Sequence, residues 1–289
     1  MSRAAKGKVV FLLSMLVMIF VLLSYASIER LRKAEEVRTT DELVESIHRV
    51  SLDLFRTDVN FYRYDVINSN FFKTGSSSRV IQHDSLMREA NNLISKAEAI
   101  EDFEIDDDLE GIKARFIAYD SAFKLLVKKV RAKGYKDYGI EGELRGYAHE
   151  LENKNLVSTE EILMLRRHEK DYLLRHEEEY ISKFDKLQQA LQKKYASRTG
   201  SIDLLKRYSD KFHELISLTV EIGMENQVGI KEKVNGLTTA MVDDLRKLSD
   251  HAEHITVQTH QKGLSYFIIA VALGAIVIVF LIILIARKL

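Results

Sequence analysis

Two stretches free of charge bracket this chain and constrain it more than anything else in it. Residues 9–28, VVFLLSMLVMIFVLLSYASI, form the first, and residues 263–286, GLSYFIIAVALGAIVIVFLIILIA, form the second. Twenty residues of helix measure about 30 Å, the thickness of a bilayer's hydrocarbon core. Both runs are therefore expected to cross a membrane. Ser24 and Ala26 have the small-x-small spacing of a leader cleavage site. The apolar run before them, however, is longer than the roughly 7–15 residues of a cleaved leader, so it is read as a span. Arg3, Lys6 and Lys8 precede the first run, and Arg287 and Lys288 follow the second. Basic flanks stay in the cytoplasm. The expected layout is a cytoplasmic N-terminus at 1–8, spans at 9–28 and 263–286, and a cytoplasmic stub at 287–289. Residues 29–262 then lie outside, in the periplasm if the membrane is a bacterial inner membrane.

What fills the outer region follows from what is missing. The chain has no Pro, no Cys and no Trp, and only 13 Gly in 289 residues. A Pro-free chain can run long helices without interruption and lacks the turn chemistry of a many-stranded β domain. Without Cys it has no disulfide, no thiol nucleophile and no Cys-based metal site. The 43 basic and 43 acidic residues balance, which removes any global argument for a nucleic-acid partner. Apolar residues recur at three and four, the spacing of packed helices. The spacing predicts helices over 30–68, 79–100, from about 109 to 132, over 140–153 and over 158–196, and a last one from about 202. SNFFKTGSSS (69–78), the acidic EDFEIDDD (101–108) and Gly134–Gly139 separate them. Ser158 and Glu161 have capping-box spacing at the start of the fifth.

The outer region also repeats itself. Tyr119, Phe123, Leu126, Val130 and Gly134 meet Tyr208, Phe212, Leu215, Thr219 and Gly223 at an offset of 89. Gly139, Ile140, Leu144, Gly146 and Leu151 meet Gly229, Ile230, Val234, Gly236 and Met241 at an offset of 90. Three glycine pairs in helices that otherwise avoid glycine indicate a duplicated module. A fainter echo pairs Leu54, Arg56, Asp58, Asn60 and Phe61 with Leu165, Arg167, Glu169, Asp171 and Tyr172. Termini on one side of a membrane demand an even number of passes, and treating both glycine-rich copies alike gives an odd one. Either another break exists, or one copy reverses the chain while the other only bends it. On the second reading the reversal is Gly134–Gly139, and the final helix runs unbroken from about Ile202 through the second span. An apolar stripe from Ile230 through Val234, Met241, Leu245, Leu248 and Ile255 to Tyr266 leads into that span.

On a helical wheel of residues 158–196, Arg166 and Glu169 fall within the apolar arc, Arg167 and Asp171 point away, and Lys170 sits at the edge. Asp58 and Asp65 fall on the apolar face of the first helix. An unpaired buried guanidinium is very costly. Arg166 is therefore expected to pair with Glu169 or with a carboxylate of a facing helix, or else to clamp a ligand carboxylate through parallel hydrogen bonds. His251, His254 and Asp250 share one helical region near the second span, without a fourth candidate ligand for a metal. Gly142 and Gly146 suggest close helix packing rather than a phosphate loop. No constellation for catalysis stands out, and no cofactor is implied.

The run LMLRRHEKDYLLR (163–175), with the duplicated Gly-Ile patterns around it, resembles the helical bimodular sensor domain of bacterial chemoreceptors and sensor histidine kinases. The resemblance covers residues 30–262 and both flanking spans. It implies an all-α fold of two stacked four-helix bundles, and recognition of small organic acids. Di- and tricarboxylates would occupy the membrane-proximal module, and monocarboxylates the distal one. It also implies a ligand site at Arg166, Arg167, Glu169, Lys170 and Tyr172, beside the proximal pocket. Arg38, His48 and Arg49 are offered as partners from the first helix. The echo puts Phe55 where Arg166 stands and Asp58 where Glu169 stands, which argues against a second anion site. Such receptors continue past the second span into signalling domains, whereas this sequence stops at Leu289. The expectation is a truncated receptor or an orphan sensor, working as a homodimer through a cytoplasmic partner. The rival expectation is a structural or adaptor protein whose bundle docks another protein.

Overall fold

The structure, a computed structural model, describes residues 3–100, 106–223 and 228–286. The acidic turn at 101–108 falls largely, and the basic pair Arg287 and Lys288 entirely, outside them. Every regular element among the described residues is helical. In chain order they are α1 (Arg3–Tyr64), α2 (Ser69–Thr74), α3 (Ser78–Glu98), α4 (Asp106–Lys133), α5 (Gly139–Asn153), α6 (Thr159–Arg175), α7 (Glu178–Lys194), α8 (Thr199–Ile222) and α9 (Ile230–Ala286). A single 3₁₀ turn, Asp65–Ile67, follows α1. Both α1 and α9 hold a run long and apolar enough to cross a membrane. Neither has a proline to end it, so each continues from that run into the amphipathic stretch beside it.

Two boundaries correct the sequence reading. The helix expected over 158–196 is two helices: α6 closes at His176, in a left-handed conformation (φ 57°) with its N–H donating to Tyr172 O at 2.7 Å. Glu177, Glu178 and Glu179 then open α7, where carboxylates favour the positive end of a new helix. The last helix is not continuous either, for α8 ends at Ile222 and α9 begins at Ile230. The extra break at His176 adds one helix to the number that the spacing predicts. The two glycine-rich copies therefore need no separate roles.

Both copies are tight for the same reason. Gly134 (φ 91°) and Gly223 (φ 105°) follow the ends of α4 and α8 in a backbone conformation that L side chains rarely adopt. A Cβ on Gly139 would lie 2.6 Å from Gly134 Cα, and one on Gly229 would lie 2.4 Å from Gly223 Cα. The first turn is closed by reciprocal backbone bonds between Tyr135 and Tyr138, at 3.1 and 3.2 Å. Of the Gly142/Gly146 pair only Gly142 is tight: a Cβ there would lie 2.3 Å from the Asp137 carbonyl carbon, whereas one on Gly146 would meet nothing within 4 Å.

The chain divides into two compact units. One comprises residues 50–89 and 114–241. Within it α5 packs on α6 and α8, and α7 packs on α6 and α8, which closes a ring of four helices. Ser158 caps α6: its hydroxyl donates to Glu161 Oε2 at 2.7 Å and accepts from Glu161 N. Glu161 also accepts from Lys194 at 2.7 Å and Tyr195 at 2.7 Å, which ties the start of α6 to the end of α7. The other unit comprises residues 1–49, 90–113 and 242–289. There α1 and α9 meet through Ser27 Oγ, which donates to Gly263 O at 3.1 Å, and Ser249 Oγ, which donates to Asp41 at 3.2 Å. Arg30 lies over the Tyr266 ring at 5.4 Å.

Candidate functional site

The duplication found by offset arithmetic becomes a pair of matched clusters in the 50–89 and 114–241 unit. Tyr119 of α4 donates to Asp58 of α1 at 2.6 Å, and its counterpart Tyr208 of α8 donates to Glu169 of α6 at 2.5 Å. Both carboxylates are buried. The rings beside them repeat as well: Phe61 meets Phe123 edge-on at 5.6 Å, and Tyr172 meets Phe212 edge-on at 5.9 Å. The third helix completes each cluster at an offset of 101. His83 of α3 lies 3.9 Å from the Phe123 ring, and Phe184 of α7 lies 4.2 Å from the Phe212 ring. The phenols are held protonated and donating. Burial first, and the facing carboxylate second, raise Tyr119 and Tyr208 far above the ordinary tyrosine range.

Beside the second cluster lies a cavity of about 220 Å³, lined by Tyr135, Lys136, Glu141, Arg145, Arg166, Glu169 and Lys170. Its walls come from α6, α5 and the turn at Gly134–Gly139. Four cations face two carboxylates there. Each cation has a neighbour, but not a saturating one. Lys170 pairs with Glu169 at 2.9 Å and Arg145 with Asp137 at 2.9 Å. The Lys136 ammonium stands 5.1 Å over the Tyr135 ring. Arg166 reaches Glu152 of α5 only at 3.8 Å, beyond hydrogen-bond length.

Of the residues expected at the site, Arg166, Glu169 and Lys170 come together. Arg166 pairs across to α5, not with Glu169, whose oxygens are taken by Tyr208 and Lys170. Arg167 and Tyr172 do not line the cavity. Arg167 is one helical step round from Arg166, 71% exposed, with Asp171 at 3.8 Å. Tyr172 is packed among core rings. Arg38 is a surface residue paired with Glu35 and Glu42, and Arg49 donates to Ser46. None of the lining residues stands on α1 or α9, the helices with the apolar runs. Lys136 and Arg145 were missed in the sequence because only the turn and the α5–α6 packing bring them to Arg166. The polar tip of the Gly134–Gly139 turn, Lys136 beside Asp137, was the available signal.

Among the described residues no three His, Cys, Asp or Glu side chains stand together as metal ligands would. His251 lies 3.8 Å from Asp108, and His254 contacts Gln258. Comparison with protein-family models, with curated proteins and with solved structures finds no match to this chain.

Proposed function

We propose that this protein is a membrane-anchored sensor that binds a small organic acid in the Arg166 cavity and passes a conformational bias across a bacterial inner membrane. One observation carries the reading: Lys136, Arg145, Arg166 and Lys170 converge on a small cavity with Glu141 and Glu169, and the Arg166 guanidinium has only the 3.8 Å contact to Glu152. A carboxylate entering that space can accept two parallel bonds from the loosely engaged Arg166 guanidinium. It also offers a counter-charge to Lys136, whose ammonium stands over the Tyr135 ring. The signal is a population shift, as large as the difference in the acid's affinity for two packings of the helices.

In this reading the duplicated helices form two stacked four-helix bundles in the periplasm, as the resemblance to helical bimodular sensors implies. The chain works as a homodimer, and its output passes to a cytoplasmic partner or signalling domain. Calorimetric titration of the whole chain in detergent with acetate, succinate, malate and citrate tests it. At least one acid is expected to bind, and Arg166→Ala to weaken it by roughly 10–100-fold, the worth of a hydrogen bond to a charged group. Circular dichroism of the variant is expected to be unchanged. Equal affinity in the variant would remove Arg166 from the site. Silence across the panel would favour a docking protein instead.

A further inference from the structure

The repeat relation predicts a counterpart to the Arg166 cavity, and the structure has one with different chemistry. Offsets of 111 and 90 carry Arg166, Glu169, Lys170, Glu141 and Arg145 onto Phe55, Asp58, Val59, Lys231 and Asn235. All five of these line a second cavity, of about 420 Å³, between α1 and α9 with Leu126 of α4 at its back. Both basic positions of α6 have become apolar, and the acid of α5 has become a lysine. Only the buried carboxylate is kept.

Three features of this cavity are unsatisfied in the chain alone. Asp58 Oδ1 is buried without a hydrogen-bond partner, as is His83 Nδ1, which stands 3.6 Å from it. The Tyr62 hydroxyl is likewise buried and unpartnered, and Tyr62 lines the same space. Phe55 and Val59 remain 44% and 48% exposed at the rim. Buried polar atoms of this kind normally have partners, and each one left over needs an occupant or a reason. Lys231, which lines the same cavity, holds its ammonium 4.7 Å over the Tyr62 ring. Asn235 and Thr239 continue the same face of α9 at one-turn intervals.

A lone carboxylate would leave Asp58 facing an anion, and a lone amine would leave Lys231 facing a cation. A molecule with one charge of each sign satisfies both. We infer that this cavity binds a small zwitterionic amino acid with an apolar side chain. Its ammonium is taken by Asp58, its carboxylate by Lys231 and the Tyr62 hydroxyl, and its body by Phe55, Val59, Leu126 and Val234. Burial raises the Asp58 carboxyl above the ordinary range, with His83 and Tyr119 acting the other way. An arriving ammonium also acts to lower it. The inference does not depend on what occupies the Arg166 cavity.

Calorimetry on the whole chain in detergent decides it, with L-leucine, isoamylamine and 4-methylpentanoate as probes. The last two are leucine without its carboxylate and without its ammonium. Leucine is expected to bind at least tenfold more tightly than either. Lys231→Met, at a half-buried position, should reduce leucine affinity at least tenfold, towards that of the amine. Asp58→Asn should reduce it as much, towards that of the acid. If Asp58→Asn fails to fold, Lys231→Met and the analogue series on the unaltered chain still decide. Failure of L-valine, L-leucine and L-phenylalanine alike to bind overturns the inference. So does 4-methylpentanoate binding as tightly as leucine, or an unchanged affinity in Lys231→Met.

Discussion

The Asp58 cluster and the Glu169 cluster share a frame and differ in what the frame encloses. Each sets a tyrosine hydroxyl on a buried carboxylate beneath an edge-on pair of rings. In the first repeat the third helix contributes His83, whose Nε2 lies 3.1 Å from Asp120. In the second it contributes Phe184, and Ser209 stands where Asp120 would be. The first repeat therefore encloses a titratable network and opens onto an apolar cavity with one lysine. The second encloses an apolar floor and opens onto a rim of four cations. Aromatic packing and the phenol–carboxylate bond fix the helices in both. Charge at the neighbouring positions has been free to change sign.

That contrast can be tested by removing first what the clusters share, then what they do not. Phe123→Ala and Phe212→Ala each take away the ring on which a cluster is built, both fully buried. Each should cost about 3–5 kcal/mol in denaturant unfolding of the chain in detergent. A cost confined to one of them would mean that only one cluster supports the fold. Tyr119→Phe and Tyr208→Phe should separate the repeats. Asp58 would keep no partner closer than His83 at 3.6 Å, whereas Glu169 would keep Lys170 at 2.9 Å. Stranding a buried acceptor costs about 1–3 kcal/mol. Tyr119→Phe should fall at the upper end of that range and Tyr208→Phe at the lower, by the same unfolding measurement.

The smallest expected effect concerns Glu161, which stands where the first repeat has the buried Val50. Partial burial raises its carboxyl, but bonds from Lys194, Tyr195 and Ser158 outweigh that and hold it down at about 2, against the ordinary 4.5. A depressed carboxyl stabilises the fold above its unfolded value and loses that contribution as pH falls through the folded one. Glu161→Gln should thus melt below the parent above pH 4.5, with the difference closing towards pH 2. A gap that persists unchanged to pH 2 would show that the Lys194 and Tyr195 contacts contribute nothing through charge.

The helical class, the apolar runs and the repeat were legible because each rests on spacing along one chain. The Ser158 cap and the buried faces of Asp58 and Glu169 were legible for the same reason. The break at His176 was not, because apolar periodicity runs through it without a glycine or proline. Only the acidic run after Arg175 marks it, and such a run reads equally well as a solvated helix face. The partner of Arg166 was also hidden. Glu152 approaches from α5, and a helical wheel gives the side a residue faces but not the helix that faces it. The correspondence of His83 with Phe184 was not legible because imidazole and phenyl share a shape and a place but no chemistry.

The packing of α5 carries one more consequence. By sequence α5 belongs to the first copy, as the counterpart of the start of α9, yet it lies against α6 and α8 of the second. Ancestry and architecture thus divide the chain at different points. A cut after Asn153 would part the two copies as descent counts them, and would strip one wall from the helices that follow. A cut within Gly134–Gly139 would respect the walls and sever the lineage. The fourth wall of the second copy is thus lent by the first, which is what an exchange of helices between once-separate twins would leave behind.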